Sequence, residues 1–126
     1  MVYEDILLID DDEDDQEIFV NALEKLKRPV TCTVVDSAVE ALHRLRTSQL
    51  RPDLIFLDLN MPIMSGQQFL QEIKRENEFK NIPVIILSTS SHATTVQHAK
   101  ALGAMDFFSK PDKFEDLILL LDSVIQ

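Results

Sequence analysis

Leu54-Ile55-Phe56-Leu57-Asp58-Leu59-Asn60-Met61-Pro62 is an apolar run that ends abruptly in a carboxylate and then a turn. Four consecutive large apolar residues suit a strand buried on both faces, as in a parallel sheet. Asp58 then falls at the carboxyl end of that strand, where ligands of open α/β sheets bind. A second apolar run, Ile6-Leu7-Leu8-Ile9, ends in Asp10-Asp11-Asp12. If the two strands are parallel neighbours, both acidic ends meet at one sheet edge. Carboxylates gathered this way repel one another and invite a hard divalent cation.

The remaining chain repeats the alternation of strand and helix. Residues 4–10 form the first strand. Asp12 caps the helix after it, and Glu13, Asp14 and Asp15 complement the positive end of its dipole. Ile18, Phe19, Ala22, Leu23 and Leu26 make its buried stripe, and Pro29 stops it. In residues 30–35, Val30, Cys32 and Val34 alternate with Thr31 and Thr33, the pattern of a half-exposed strand near a sheet edge. Ser37 with Glu40, and Ser65 with Gln68, read as capping boxes opening helices two and three. Val39, Ala41, Leu42 and Leu45 face inward from helix two, and Phe69, Leu70 and Ile73 from helix three. Pro83 opens strand four, residues 84–88. Residues 91–102 are expected to be helical, with Val96, Ala99 and Leu102 inward and Gly103 ending the helix. This stripe is thin. Residues 105–109 form strand five. Asp112 and Glu115 are expected to cap the last helix, whose stripe is Phe114, Leu117, Ile118, Leu121 and Ile125. Leu119 and Leu120 fall off that stripe, and Leu119 should face water or a partner.

Five strands alternating with five helices through short loops predict a doubly wound parallel sheet, class α/β, with helices on both faces. The 126 residues suit one domain spanning 1–126. The chain is 45% hydrophobic and 27% charged, ordinary for a globular protein. A net charge of −10 argues against a nucleic-acid surface. The lone Cys32 has no internal disulfide partner and reads as a core residue in a reducing compartment. No export signal or run of about 18 apolar residues is present, so neither membrane insertion nor secretion is expected. His43, His92 and His98 read as surface helix residues without zinc-ligand spacing.

The candidate chemistry lies at four strand ends: Asp10-Asp11, Asp58, Ser88-Thr89, and Lys110 just beyond strand five. Carboxylates, a hydroxyl and an ammonium at one edge can hold Mg²⁺ and an anionic phosphoryl group. A carboxylate beside the metal can act as nucleophile toward phosphorus, and phosphoryl transfer asks the protein chiefly for positioning and charge neutralisation.

With Ile9-Asp10-Asp11, Asp58-Leu59-Asn60-Met61-Pro62, Ser88-Thr89 and Lys110-Pro111 each at an expected strand end, essentially the whole chain resembles the response-regulator receiver domains of two-component systems. These are cytoplasmic phosphoacceptor modules best known from bacteria. The resemblance implies a flavodoxin-like sheet of order 2-1-3-4-5. It implies Asp58 as phosphoacceptor and Mg²⁺ or Mn²⁺ held by Asp11 and Asp58, with Asp10 acting mostly through water. Asn60 contributes its backbone carbonyl. Ser88 and Lys110 contact the phosphoryl oxygens, and the Lys110–Pro111 bond can be cis. Phe107 takes the place of an aromatic switch, although as Phe rather than the frequent Tyr it has no hydroxyl to bond outward. The implied partners are a sensor histidine kinase or a histidine phosphotransfer protein, and an unknown downstream protein. Binding through the face made by helix four, strand five and helix five would be switched by phosphorylation, with a phosphorylation-dependent homodimer as one outcome and Leu119 on the surface. The protein would then be a signalling domain rather than an enzyme. Two other classes compete. A small aspartate-nucleophile phosphatase of the haloacid-dehalogenase type wants a second acid where Asn60 stands. A pseudo-receiver acting only as a binding module has no need of the acidic group, Ser88 and Lys110.

Overall fold

The computed structural model describes residues 3–90 and 92–125. The elements run β1 (Asp5–Ile9), α1 (Glu13–Lys25), β2 (Thr31–Val35), α2 (Ala38–Arg46), β3 (Leu54–Leu57), α3 (Gly66–Arg75), β4 (Val84–Ser88), α4 (Ala93–Ala101), β5 (Asp106–Ser109) and α5 (Phe114–Ile125). All strand pairs are parallel, in the order β2-β1-β3-β4-β5. The fold is the flavodoxin-like doubly wound sheet expected from the sequence.

Alternation of side chains along each strand divides the core into two layers. Leu7, Ile9, Ile55, Leu57, Val84 and Ile86 face α2, α3 and α4. Ile6, Leu8, Leu54, Phe56, Ile85 and Leu87 face α1 and α5. In the second layer Phe19 and Phe56 meet edge to face, their centroids 5.0 Å apart. Every residue of β3 and β4 is buried, as their unbroken apolar runs require, whereas edge strand β2 alternates between exposed and half-buried positions up to buried Val35.

Several local expectations are corrected. Ile18 and Val39 are exposed rather than inward. Each sits at the margin of its helix's apolar stripe, and Phe19 and Ala38 take the buried positions beside them. Ser37 Oγ accepts from the Glu40 N–H, but the Glu40 carboxylate pairs with Arg44 one turn on instead of closing a box. The box at Ser65 and Gln68 is complete. α4 begins at Ala93 after His92, which makes no side-chain cap bond; Ser91, expected to start the helix, lies outside the described residues. Lys113 rather than Asp112 precedes α5, its carbonyl accepting from the Asp116 and Leu117 N–H groups. No cis peptide occurs among the described residues, so Lys110–Pro111 is trans, the ordinarily favoured isomer of an X–Pro bond. Leu120 is half-buried against the α1–α5 layer, whereas Leu119 is 65% exposed.

Among the described residues no helix is long and apolar enough to cross a membrane. His43, His92 and His98 are exposed. Cys32 is half-buried, and burial pushes its thiol up to about 11. It is therefore a packing residue with little thiolate at neutral pH.

Candidate functional site

Strand register brings the polar ends together. Ile9 of β1 stands opposite Leu57 of β3, so Asp10 and Asp58 emerge side by side. Ser88 pairs with Ser109, so Lys110 emerges next to the end of β4. The backbone continues this order past the strands. The Asp58 N–H donates to the Ile9 carbonyl at 3.0 Å, and the Lys110 N–H donates to the Ser88 carbonyl at 2.9 Å.

Asp10 and Asp58 are buried, with 3% and 6% of their surface exposed, and Asp11 is exposed. One carboxylate oxygen from each of the three lies within 4.8 Å of the others. In octahedral Mg²⁺ sites, with bonds near 2.0–2.1 Å, ligand oxygens are separated by about 3 to 4 Å. Small carboxylate rotations would therefore close this group around one ion. The donors are not equivalent. Asp10 accepts from the Asp12 N–H on one oxygen at 3.0 Å and from Lys110 Nζ on the other at 2.9 Å. Both its oxygens are engaged, which favours contact with an ion through water. Asp58 has looser partners, the Asn60 N–H at 3.3 Å and Lys110 Nζ at 3.5 Å. Among the described residues no hydrogen bond engages the carboxylate of Asp11 or the carbonyl of Asn60. These groups have free lone pairs, and the set fits a hard cation.

The electrostatics follow from burial and pairing. Burial raises the Asp10 carboxyl above its ordinary range, and the Asp12 N–H and Lys110 offset part of that effect. Burial works against the charge of Lys110. Hydrogen bonds to Asp15 and Asp10, with the field of Asp10 and Asp58, outweigh it and hold the ammonium above its usual value. Lys110 Nζ is thus a fixed positive charge among three carboxylates, at 2.7 Å from Asp15, 2.9 Å from Asp10 and 3.5 Å from Asp58.

Asp15 is the residue that sequence reasoning missed. The acidic run 12–15 reads as helix-dipole charge, and nothing in its spacing marks one member as facing the sheet edge. Ser88 is fully buried at the end of β4, and its Oγ accepts from the Ser90 N–H at 3.3 Å. Asn60 Nδ2 donates to Thr89 Oγ1 at 3.5 Å across the mouth of the site. Phe107 is half-buried against the layer containing α4, neither sealed in the core nor facing solvent.

A doubly wound sheet with buried carboxylates, an exposed acidic neighbour and a lysine at its carboxyl edge defines an α/β domain whose charged side chains gather at one sheet edge. The response regulator receiver domain family matches residues 6–122, and the chain belongs to that family. It is 33% identical to the two-component response regulator ARR6 of Arabidopsis thaliana over 132 residues, covering 96% of this chain and 69% of that protein. Among solved structures it is similar to the phosphorylated cyanobacterial phytochrome response regulator RcpA, with a TM-score of 0.89, 30% identity, and coverage of 98% of this chain and 91% of that one. It is also similar to the Mn²⁺-bound form of response regulator Rcp1, with a TM-score of 0.87, 27% identity, and coverage of 96% and 91%. Receiver domains are signalling domains of two-component systems. Because these relatives include plant proteins, the likeness does not assign the chain to bacteria.

Proposed function

We propose that this domain takes a phosphoryl group on Asp58 from the phosphohistidine of a sensor histidine kinase or phosphotransfer protein, in a Mg²⁺- or Mn²⁺-dependent reaction in the cytoplasm. The observation that carries this reading is the setting of Asp58. It is a buried carboxylate with both oxygens loosely held, grouped with Asp10 and Asp11 and within 3.5 Å of Lys110 Nζ. An Asp58 oxygen attacks phosphorus, and an acyl O–P bond forms as the N–P bond breaks. The electron pair returns to the imidazole nitrogen, which takes up a proton. Asp11, Asp58 and the Asn60 carbonyl would hold the divalent ion, which when bound neutralises charge on the transferring group. Lys110, 3.5 Å from Asp58 Oδ2, would meet the phosphoryl oxygens. Ser88 must turn its hydroxyl outward to reach one, exchanging its bond from Ser90.

Incubating the protein with Mg²⁺ and a small phosphodonor tests this reading. An acid-stable, hydroxylamine-labile adduct supports it. Continuous release of phosphate without an adduct would indicate a phosphatase, and no reaction would indicate a pseudo-receiver. The metal arm has its own test. Asp11→Asn should lose Mg²⁺ binding, read by competition with Mn²⁺ in water-proton relaxation, and should lose phosphorylation with it. The melting temperature should stay close to wild type, because Asp11 is exposed and its side chain holds nothing in place. Phosphorylation retained in that variant would remove Asp11 from the metal's ligands.

The output reading concerns α4, β5 and α5. Only Ala99 of α4 is buried, so few contacts must be remade when this helix shifts. Drawing Ser88 toward a phosphoryl oxygen would pull on residues 89–90, and half-buried Phe107 on neighbouring β5 would follow. Leu119 offers apolar surface on the neighbouring helix. Phosphorylation is expected to promote binding or self-association here. Leu119→Glu should change stability by no more than about 0.5 kcal/mol and should reduce association induced by a beryllofluoride phosphoryl mimic. Sedimentation with and without the mimic reads the effect, and unchanged association in the variant would defeat it.

A further inference from the structure

Asp15 sits at the third position of α1, where an acidic side chain ordinarily turns back to bond the cap N–H. Here the cap residue, Asp12, accepts from the Asp15 N–H at 3.0 Å, but its own N–H is already donated to Asp10 Oδ1 at 3.0 Å. The Asp15 carboxylate is left to face the sheet edge, where it makes the shortest contact of Lys110, 2.7 Å. A lysine ammonium has three N–H donors. Two are spent on Asp15 and Asp10 at normal hydrogen-bond lengths. The remaining partner, Asp58 Oδ2, is 3.5 Å away, outside the range of a strong N–H···O bond. Behind the ammonium lies a recess of about 70 Å³ whose other walls include Leu8, Phe19, Leu87, Leu117 and Pro111. The lining side chains include no carboxylate besides Asp10 and Asp15, so Lys110 is distributed among these two and Asp58 in competition.

We propose that Asp15 is a positioning residue that restrains Lys110, so that a phosphoryl group on Asp58 engages the lysine against the pull of Asp15. The inference rests on the phosphoacceptor reading given above. By linkage, whatever favours the Asp15–Lys110 pair disfavours the phosphorylated state by the same factor. Asp15 would thereby set the affinity for the phosphoryl group, and the lifetime of the active state, from outside the metal-binding carboxylates.

The test compares wild-type protein with Asp15→Asn, Asp15→Glu and Asp14→Asn, titrated with beryllofluoride in Mg²⁺ and followed by ¹⁹F NMR. The Lys110 side-chain ¹⁵N resonance is read in the free proteins. Asp14 is exposed and adjacent, so its variant makes the same change of charge without the contact. Asp15→Asn should bind the mimic about three- to fivefold more tightly, the upper scale of one partly exposed ion pair. It should also shift the Lys110 resonance before any ligand is added. Asp15→Glu should restore both values toward wild type, and Asp14→Asn should leave both within about twofold or unshifted. Equal tightening by Asp14→Asn would reduce the effect to general charge and overturn the proposal. So would an unmoved Lys110 resonance, or weaker binding in Asp15→Asn, while wild type still binds the mimic. Wild-type protein that binds no beryllofluoride would overturn the phosphoacceptor reading and this inference with it, a distinct outcome.

Discussion

Asp58→Asn should take up no phosphoryl group from a small phosphodonor while keeping its fold. The amide has nearly the shape of the carboxylate but carries no charge and is a poor nucleophile, so the O–P bond cannot form at this position. Stability should respond differently from activity. Lys110 keeps its two shorter contacts, to Asp15 and Asp10, and loses only the 3.5 Å contact. Removing the Asp58 charge also relieves repulsion of the neighbouring carboxylates Asp10 and Asp11. The two effects oppose each other, and the variant should melt at or slightly above the wild-type temperature. Intact-mass spectrometry after phosphodonor treatment reads the first effect and calorimetry the second. A phosphoryl adduct of wild-type yield on the variant would mean that another carboxylate is the acceptor. A marked fall in stability would mean that Asp58 holds the sheet edge together, and loss of phosphorylation would then be uninformative about chemistry.

The sequence makes this site legible because each of its strands announces its own end. Apolar runs with no interruption specify β3 and β4 as buried on both faces, and the first polar residue after each marks the carboxyl edge. Parallel order then places Asp10, Asp58, Ser88 and Lys110 together without any knowledge of side-chain geometry. What the sequence leaves hidden depends on direction rather than on sequence position. Asp12, Glu13, Asp14 and Asp15 are equivalent as dipole charges, and only the turn of α1 against the sheet selects Asp15 for Lys110. Half-exposed positions fail for a related reason. Ile18 and Val39 are apolar and near the correct period, but a helix on one face of a sheet buries a stripe narrower than the apolar residues available. Left-handed turns are hidden too. Lys27, Ser48 and Ile63 have positive φ, of 53°, 62° and 69°, without a glycine to mark them. Ile63 is the costly case. It is a β-branched residue in the left-handed region, 94% exposed, in the loop that follows Asp58. The chain has two glycines and neither is used there.

One of those glycines governs the second large effect. Gly66→Ala should destabilise the protein by about 1–3 kcal/mol or somewhat more, the cost of overpacking a closed site. For about 126 residues that corresponds to a fall in melting temperature of roughly 4 to 12 °C. The cause is close approach rather than backbone angle. A Cβ on Gly66 would stand 2.4 Å from the carbonyl oxygen of Asp58 and 2.7 Å from Leu59 Cα, both backbone atoms. The Gly66 N–H also donates to the Leu59 carbonyl at 3.1 Å, tying the start of α3 to this same loop. To admit a methyl group, either α3 must lift from the sheet, exposing buried Phe69 and Leu70, or the backbone of Asp58 and Leu59 must move. The second response displaces the proposed acceptor, so surviving protein should also be phosphorylated more slowly. Gly103 supplies the contrast. Its φ of +110° makes a side chain there strained, but the nearest atoms are the flexible stem of Lys74 at 3.2 to 3.3 Å, remote from Asp58 in the sequence and fold. Gly103→Ala should therefore lower stability through backbone strain of about 1 kcal/mol and leave the phosphorylation rate unchanged. Thermal melts paired with phosphorylation time courses separate the two glycines. Wild-type kinetics and a melting temperature within about 1 °C of wild type for Gly66→Ala would show that the β3–α3 loop yields freely, and that its close packing does not hold Asp58 in place.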